Sequence, residues 1–396
     1  MKVIGIVAEY NPFHLGHAYH IQQSKKKVGG DCAVVAVMSG NFVQRGEAAI
    51  LPKHIRAAAA VQCGCDLVIE LPLPWALSSA EGFARGGIGL LCAFGVDHIS
   101  FGSESGNLEA IKKTASCLLR AETMEAVRKE LKRGSSFAVA REAVLRQLLG
   151  ESAAVLASPN DLLAVEYCKT VLQYRPEMQL LPVLRCGAAH DTVTETGFRS
   201  ASDLRETLQN GNNLVGAVPD PANALYEKAI AEKGIITQQC LESALLSRLR
   251  QLDAETVSAL PDAREGLENR FARACAEGGC LEEIYQMTKS KRYTLSRIRR
   301  MTLCAALGIS KEMAAGMPPY GRVLAANARG RAVLRQFPQT EAIPILTKPA
   351  AAQRLSKQAQ QIFALECAAT DLYVLGYEKA EHRRGGSEWR TSPVML

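Results

Sequence analysis

Short apolar runs alternate with helix-like stretches along the first part of the chain. The runs are rich in β-branched residues, apolar along their length and separated by short connections. They cover residues 3–8, 33–40, 66–72 and 96–104, with helical patterns over residues 14–27, 52–64 and 82–95 between them. Strand–helix alternation is typical of parallel sheets, and fully apolar strands suit a sheet covered on both faces. The pattern predicts an α/β fold with a doubly wound, Rossmann-like parallel sheet.

The next segment adds helices to this sheet. Residues 107–150 are charged and helical in pattern, which predicts an elaboration on the sheet domain. Residues 158–173 predict a further helix with Ser158 as its N-cap and a proline in its first turn. The run MQLLPVLR, at residues 178–185, predicts another strand.

The alternation stops after about residue 215. The remainder is mostly helical in pattern, with one strand-like piece at residues 342–348. A turn region with two prolines marks the change. We therefore predict a catalytic domain over residues 1–218 and a mainly α-helical domain over residues 219–396, with a loose, polar tail from about residue 380.

Positive charge is concentrated in one segment. The 396-residue chain has a formal net charge of +7, and residues 289–300, KSKRYTLSRIRR, hold six basic residues and no acidic one. A local basic stretch in an otherwise almost neutral chain favours a polyanionic partner. A solvated helix face is the alternative interpretation.

Nothing in the sequence predicts a membrane or metal site. No apolar run approaches the ~20 residues that a membrane span requires, and the opening MKVIGIVAEYN lacks the pattern of a signal peptide. The 12 cysteines are scattered, without the paired spacing of a zinc site. We expect a cytoplasmic protein with free thiols and no bound metal.

The octapeptide YNPFHLGH, residues 10–17, follows the first predicted strand and enters the first helix. His14 and His17 are three residues apart, so both side chains face the same way on a helical turn. Ligands of open α/β sheets bind at the carboxyl ends of strands, where imidazoles can stabilise charge developing on an α-phosphate. Gly16 would let a purine or ribose lie against the backbone. Two surface histidines at a helix start are the alternative, but the pattern H-x-G-H resembles the signature of the nucleotidyltransferase superfamily.

A second segment, RSASDLR at residues 199–205, has the features of an outer-phosphate site. Ser200 and Ser202 lie at a predicted helix N-terminus and Arg205 follows on its first turn. The segment resembles the I-S-S-T-x-x-R form of the superfamily's second signature. An ordinary serine-capped helix is the alternative.

Longer stretches of sequence make the resemblance more specific, because together they match a single family. MSGNFVQRGEAAILPKHIRA, FGSESG, SPNDLLAVEY and KRYTLSRIRR occur in this order behind AEYNPFHLGH. Together they resemble the bacterial tRNA(Met) cytidine acetate ligase family over nearly the whole chain. The resemblance implies an ATP-dependent ligase that activates acetate as acetyl-adenylate and acetylates N4 of the wobble cytidine of elongator tRNA(Met), with Mg²⁺ accompanying the phosphates.

The resemblance also implies site residues. His14, His17, Ser202 and Arg205 would act on the phosphates. The implied ATP-binding positions are Val7, Ala8, Glu9, Tyr10, Asn11, Pro12, Phe13, His14, Leu15, Gly16, His17, Ala18, Tyr19, His20, Gly102, Asn160 and Arg185. The expected tRNA contacts are Lys289, Lys291, Arg292, Arg297, Arg299 and Arg300.

Two other functions fit part of the sequence. A cofactor-biosynthetic adenylyltransferase or pantothenate-synthetase-like ligase would use the same phosphate site with a small-molecule acceptor. A non-catalytic RNA-binding protein would retain only the nucleotide pocket. The basic segment and the long helical carboxyl half favour the tRNA ligase, and the intact H-x-G-H favours catalysis. We expect tRNA, ATP and acetate as partners, with no DNA.

Overall fold

The structure, a computed structural model, describes residues 1–185, 198–263, 266–290, 293–336 and 343–396. Within them, an eight-stranded sheet and a two-stranded hairpin provide the β-structure. The strands are β1 (Lys2–Ala8), β2 (Cys32–Ser39), β3 (Phe42–Val43), β4 (Glu47–Ala48), β5 (Leu67–Leu71), β6 (His98–Ser103), β7 (Gln179–Leu184), β8 (Gly321–Ala326), β9 (Ile345–Leu346) and β10 (Val394–Met395).

Helices cover both faces of the sheet and most of the carboxyl half. They are α1 (Leu15–Val28), α2 (Lys53–Gln62), α3 (Leu73–Ala76), α4 (Ala80–Ala93), α5 (Leu108–Leu118), α6 (Ala121–Leu131), α7 (Phe137–Leu149), α8 (Pro159–Tyr174), α9 (Ala201–Gln209), α10 (Asp220–Lys233), α11 (Glu242–Leu249), α12 (Ala254–Ala259), α13 (Leu267–Glu277), α14 (Leu281–Thr288), α15 (Leu295–Leu307), α16 (Ala328–Gln336) and α17 (Lys357–Val374). Within the described ranges, no helix combines the length and apolar character needed to cross a membrane.

The strand order confirms the predicted doubly wound fold. It runs β10-β8-β5-β2-β1-β6-β7, and these neighbours are parallel except β5 and β8. The chain moves from β1 outward through β2 to β5, and then continues on the other side of β1 with β6 and β7. The topological switch point therefore lies between β1 and β6, and ligands of such sheets bind in the crevice at that point.

Three apolar clusters hold the layers together. One face of the sheet packs on residues of α1, α2, α9 and α10, and the opposite face packs on residues of α4, α5 and α8. A third cluster joins α11 to α15 with α17 and the β3–β4 hairpin. Helices α5 to α7 lie within residues 107–150, for which the sequence predicts a helical elaboration on the sheet domain.

The carboxyl part of the chain returns to the sheet, which the sequence does not predict. Strand β8 inserts antiparallel beside β5, while β9 and β10 pair with β8. Strand β9 lies within the strand-like piece predicted at residues 342–348, but the pattern predicts neither β8 nor β10. The division of the chain at residue 218 stays a prediction; residues on both sides of it form this sheet.

The prediction of a loose tail from about residue 380 is wrong. Glu388 is 2 % exposed and pairs with the guanidinium of Arg322 on β8 and with the ammonium of Lys53 at 2.6 Å. Val394–Met395 then adds a strand to the sheet edge. The polar composition of the tail predicts a poorly ordered segment. Buried cations from distant segments instead neutralise Glu388 and hold the tail in place.

Candidate functional site

A cavity of about 410 Å³ opens at the carboxyl ends of β1, β6 and β7, at the switch point. It brings together most of the residues predicted for phosphate chemistry and ATP. Those that line it are Val7, Ala8, Glu9, Tyr10, Asn11, His14, Gly16, His17, Tyr19, His20, Gly102, Asn160, Arg185, Ser202 and Arg205.

The remaining residues of the amino-terminal stretch lie behind this lining. Pro12, Phe13, Leu15 and Ala18 are not among the lining residues. The ring of Phe13 is fully buried, with its centroid 4.9 Å from that of Tyr10. The same loop is held from the carboxyl half, because the Phe13 N–H donates to the Tyr226 hydroxyl (3.0 Å). These residues stabilise the conformation of the loop and do not line the cavity.

The two signature histidines cap helix α1 reciprocally. The N–H of Gly16 donates to Nδ1 of His14 (3.0 Å), and the N–H of His14 donates to Nδ1 of His17 (3.2 Å). A nitrogen that accepts a hydrogen bond carries no proton, so each neutral imidazole carries its proton on Nε2. The spacing of the signature thus fixes both tautomers and leaves two Nε2–H donors.

Burial keeps these imidazoles neutral. It lowers the pKa of His14 to about 3, with help from the positive charge of Arg185. The pKa of His17 is also well below its ordinary value, through burial and the neighbouring His14, His20 and Arg185. At neutral pH the site therefore offers neutral N–H donors, in a place where an added charge from imidazolium is disfavoured.

Gly16 has a structural role beside the predicted one of admitting the nucleotide, which stays a prediction. Its N–H donates to the capping side chain of His14, and a Cβ at this position would lie 2.8 Å from Cε1 and 3.0 Å from Nδ1 of that ring. The His14 ring therefore occupies the space that a side chain would need. The two signature rings pack against each other at a tilt of 34°, with centroids 3.8 Å apart. The position of the His14 ring therefore favours glycine at position 16, whether or not a ligand is bound.

The RSASDLR segment joins the site through Arg205. Ser200 accepts the Asp203 N–H (3.1 Å) and caps α9, so the serine-cap interpretation holds for this residue. Ser202 instead lines the cavity and accepts from Nη2 of Arg205 (3.2 Å). Nη1 of Arg205 donates to the carbonyl of Asn11 (2.9 Å). The second segment is thus tied directly to the loop of the first.

Asn160 and Arg185 form one network with Glu104. The Asn160 Nδ2 donates to Glu104 Oε1 (2.5 Å), and its Oδ1 accepts from Arg185 Nη1 (3.2 Å). Glu104 also accepts the backbone N–H groups of Asn160 and Asp161 (3.3 and 3.0 Å). Ser158 is the N-cap residue of α8 but makes no side-chain cap bond. Glu104 supplies that cap, and a negative side chain suits this end of a helix.

The predictions omit Arg56, which holds the rim of the cavity. Its guanidinium is fully buried and donates to the carbonyls of Glu9 (2.5 Å), Ser39 (3.1 Å) and Gly40. It thereby ties the residues at the carboxyl ends of β1 and β2 together. The one signal in the sequence is a lone arginine within the apolar, alanine-rich stretch of α2.

Glu9 is a titratable group inside the cavity. It accepts the Gln44 N–H (2.9 Å) from the hairpin turn. Burial raises the pKa of its carboxyl, while the charges of Arg45 and Arg205 work in the opposite direction. The predicted site residues include neither Gln44 nor Arg45, although both line the cavity.

The basic segment lies on the other side of the hairpin. Lys289 is exposed, and Arg297 donates to the carbonyl of Asp262 (2.7 Å). Arg299 pairs with Glu47 of the hairpin (2.6 Å), and Arg300 lies 3.9 Å from the Asp262 carboxylate. The remaining two predicted tRNA contacts, Lys291 and Arg292, lie outside the described residues.

Helix α15 begins after Thr294, whose side chain caps it. Ile298 and Thr302 on this helix are fully buried. Tyr293 is also largely buried, with the Arg297 guanidinium 4.8 Å from its ring centroid.

The described residues contain no group of three or more histidine, cysteine, aspartate or glutamate side chains that would hold a metal ion. The fold, the switch-point cavity and the reciprocally capped H-x-G-H together define a nucleotidyltransferase-type site. In agreement, the family model described as HIGH Nucleotidyl Transferase matches residues 1–388.

Curated relatives narrow this class. The tRNA(Met) cytidine acetate ligase of Acetivibrio thermocellus is 34% identical over 100% of both chains. That of a Thermoanaerobacter species is 37% identical over 96% of both. The chain therefore belongs to the tRNA(Met) cytidine acetate ligase family.

Solved structures agree with this assignment. The apo crystal structure of Thermotoga maritima TmcAL superposes with a TM-score of 0.94 at 31% identity, with both chains fully covered. The same protein bound with alpha-thio ATP gives a TM-score of 0.92 at 30% identity, again over both full chains.

Proposed function

We propose that this chain activates acetate with ATP and transfers the acetyl group to N4 of the wobble cytidine of elongator tRNA(Met). The observation that carries the proposal is the pair of Nε2–H donors that His14 and His17 present at the switch-point cavity. Similarity to tRNA(Met) cytidine acetate ligases over the full chain supports the choice of acyl group and acceptor.

In the first step, a carboxylate oxygen of acetate attacks the α-phosphorus of ATP. The bond from that phosphorus to the bridging oxygen of the β-phosphate breaks, and its electron pair leaves with pyrophosphate. His14 and His17 would donate to the α-phosphate oxygens, where negative charge develops. Ser202 and Arg205 would hold the outer phosphates as they leave. Magnesium would enter with ATP as part of the substrate, since it keeps water and binds phosphate oxygens readily.

In the second step, N4 of cytosine attacks the acetyl carbonyl carbon of acetyl-adenylate. The bond from that carbon to the AMP oxygen breaks, AMP leaves, and the nitrogen loses one proton. The N4 lone pair is delocalised into the ring, so this amine requires an activated acyl donor. The protein's part in both steps is positioning and charge stabilisation rather than covalent chemistry.

Arg185 and Asn160 would fix the nucleotide from the other side of the cavity. Because Asn160, itself held by Glu104, accepts from the guanidinium of Arg185, the positive charge stays directed at the cavity, which Arg185 lines. Gly102 lies beneath it, where an added Cβ would be 3.4 Å from the Arg185 side chain. An alanine at position 102 would make ordinary van der Waals contact with the arginine, so only a larger side chain would press against it.

Acetate-dependent exchange of labelled pyrophosphate into ATP tests the first step without tRNA. We expect exchange with acetate alone, and its loss in His17→Ala while tRNA binding persists. Exchange that instead requires a different carboxylic acid, such as pantoate, would support the small-molecule ligase and contradict our proposal. The intact His14, Gly16 and His17 and the full-length relatives favour the tRNA ligase over both alternatives.

We further propose that residues 219–396 contribute the tRNA surface, through the basic segment. An unpaired anticodon loop presents the bases that proteins read in RNA, and phosphates near it would contact Lys289, Arg297, Arg299 and Arg300, with Lys291 and Arg292 beside them in sequence. These substrates occur together in the cytoplasm, and we propose that location.

Lys289 gives the clearest test of this surface. Charge reversal at Arg299 would also disturb Glu47 and the hairpin, whereas Lys289 is exposed. Lys289→Glu should weaken tRNA binding and reduce the slope of log Kd against log salt by about one phosphate contact. Lys132→Glu, an exposed lysine following α6 outside the basic segment, is the matched control. Equal effects of the two substitutions would remove Lys289 from the tRNA surface.

A further inference from the structure

The turn of the β3–β4 hairpin carries a charged residue to the cavity. Gly46, with φ of 77°, shapes the turn, and Arg45 before it lines the cavity. Nη1 of Arg45 lies 3.5 Å from Oγ of Ser202. Arg45 belongs to neither the H-x-G-H stretch nor the RSASDLR segment, and the two steps proposed for acetate and ATP leave it without a role.

Two guanidinium groups from different elements converge on one hydroxyl. Arg205 Nη2 approaches Ser202 from within α9 at 3.2 Å, and Arg45 approaches from the hairpin. A hydroxyl can accept hydrogen bonds from both but cannot neutralise two positive charges. Such convergence is stable when an anion with several acceptor oxygens completes the group, and guanidinium forks match phosphate oxygens.

Nearby carboxylates neutralise this pair only in part. Glu47 Oε2 is 3.8 Å from Arg205, but its Oε1 is 2.6 Å from Arg299 on α15. Glu9 accepts a backbone N–H from the hairpin, and burial raises its pKa, so its charged form is less favoured. Positive charge therefore predominates around Ser202.

Arg199 provides an internal contrast. It also lines the cavity, but Asp203 binds its guanidinium through both carboxylate oxygens (2.5 and 2.8 Å) and Thr207 accepts a further bond (2.5 Å). Asp203 therefore already neutralises the charge of the Arg199 guanidinium, and Asp203 and Thr207 already accept its hydrogen bonds. Among the described residues, Arg45 has no such ion pair.

We propose that Arg45 is a further phosphate-binding residue of this site, acting with Arg205 on the β- and γ-phosphates of ATP and on the departing pyrophosphate. This inference rests on the proposed use of ATP and extends it to a group outside both signature segments. Arg45 thus reaches the outer phosphates from the β3–β4 hairpin, whereas Arg205 reaches them from α9.

The hairpin that presents Arg45 is seated on the basic helix. A Cβ at Gly46 would lie 2.5 Å from the backbone nitrogen of Arg300, so hairpin and helix are in backbone contact. The Glu47–Arg299 pair adds a second contact with this helix, and the Ala48 N–H donates to Gln238 (3.1 Å) in the segment before α11. The element that carries Arg45 is therefore positioned by the segment proposed to meet tRNA.

Titration calorimetry with ATP, pyrophosphate and AMP tests the inference. Arg45→Ala should weaken binding of ATP and pyrophosphate by about 10- to 100-fold, the range expected when a charge-assisted hydrogen bond is lost. AMP lacks the outer phosphates, so its affinity should change less than about twofold. Arg45→Lys keeps the charge without the fork and should fall between wild type and Arg45→Ala.

Arg146→Ala, which removes one exposed arginine charge from α7, is the control and should bind all three ligands as wild type does. Unchanged ATP and pyrophosphate affinities in Arg45→Ala, or an equal loss for AMP, would overturn the inference. Acetate-dependent exchange by the wild type reports separately on the proposed function. If that exchange were absent while Arg45→Ala still lost ATP and pyrophosphate affinity, acetate activation would fail and the role of Arg45 would stand.

Discussion

Replacement of Gly16 by alanine tests how the signature works. An alanine Cβ would stand 2.8 Å from Cε1 of His14, whereas ordinary van der Waals contact begins at 3.4 Å. The ring must therefore retreat by at least about 0.6 Å, or rotate. Either movement disturbs the bond from the Gly16 N–H to Nδ1, which fixes the tautomer of His14. The change thus misdirects a donor without removing any functional side chain.

The size of the effect follows from two general magnitudes. Misplacing a catalytic group by about 1 Å costs about 10²-fold in rate, and losing one oriented donor costs about 10²- to 10³-fold in kcat. We expect kcat for acetate-dependent pyrophosphate exchange to fall by about 10²-fold, or about 2.7 kcal/mol of activation free energy. Stability should change little, because alanine is favoured over glycine in a helix by about 0.5–1 kcal/mol, which offsets the weakened cap.

Steady-state exchange and thermal unfolding of the same preparations give the two readouts. Gly279→Ala is the matched control, because the nearest atom to its Cβ is the carboxylate end of Glu283 at 3.3 Å. A Gly16→Ala protein with wild-type kcat would refute the role of this glycine in orienting His14. A protein that lost activity only in proportion to unfolded material would refute it equally.

Two further predictions concern stability. Burial lowers the pKa of His14 to about 3 and of His20 to about 4, so below pH 6.5 the unfolded chain binds protons that the native chain does not. The free energy of unfolding should therefore decrease as the pH falls from about 6.5 toward 4, and His20→Asn should make that decrease shallower in urea titrations; an unchanged slope would contradict this. Glu388→Gln, which leaves the buried Arg322 without its carboxylate, should lower the free energy of unfolding by about 3 kcal/mol or more, while the exposed control Glu381→Gln should not; chemical denaturation compares them.

The strands near the amino terminus are predictable because parallel strands covered on both faces must be apolar throughout. Every residue of β2 is buried, for example, and its run of valine and alanine predicts a buried strand. Strand β8 gives no such signal, since Arg322 stands inside it. Its charge is neutralised by Glu388, 66 residues later. A local pattern carries no information about a partner so distant in the chain.

Some features of the candidate site can likewise be predicted from the sequence, and others cannot. The histidines of YNPFHLGH are identifiable because strand, turn and helix follow each other in sequence. The structural reason for a glycine at position 16 cannot be identified from the sequence, because it depends on the rotamer of His14. Ser158 has the residue type of a helix cap, but the fold places Glu104, from a distant part of the chain, at the N-terminus of α8. Arg45 lies within a family-like string, yet only the fold brings it to Ser202.

The hairpin contact also changes how the basic segment should be interpreted. Arg299 and Arg300 are predicted to meet tRNA, and the structure pairs Arg299 with Glu47 and brings Arg300 within 3.9 Å of the Asp262 carboxylate. Glu47 faces Arg205 as well. Substitutions at Arg299 are therefore expected to alter ATP affinity along with tRNA affinity, and the two must be measured together.

Nucleoside mass spectrometry of tRNA after reaction tests the central claim most directly. The purified protein is incubated with ATP, isotopically labelled acetate and unmodified elongator tRNA(Met). We predict one labelled N4-acetylcytidine per tRNA, at the wobble position, with one AMP and one pyrophosphate formed for each acetyl group. Consumption of ATP and acetate without label at that cytidine, or label on another acceptor, would contradict the account.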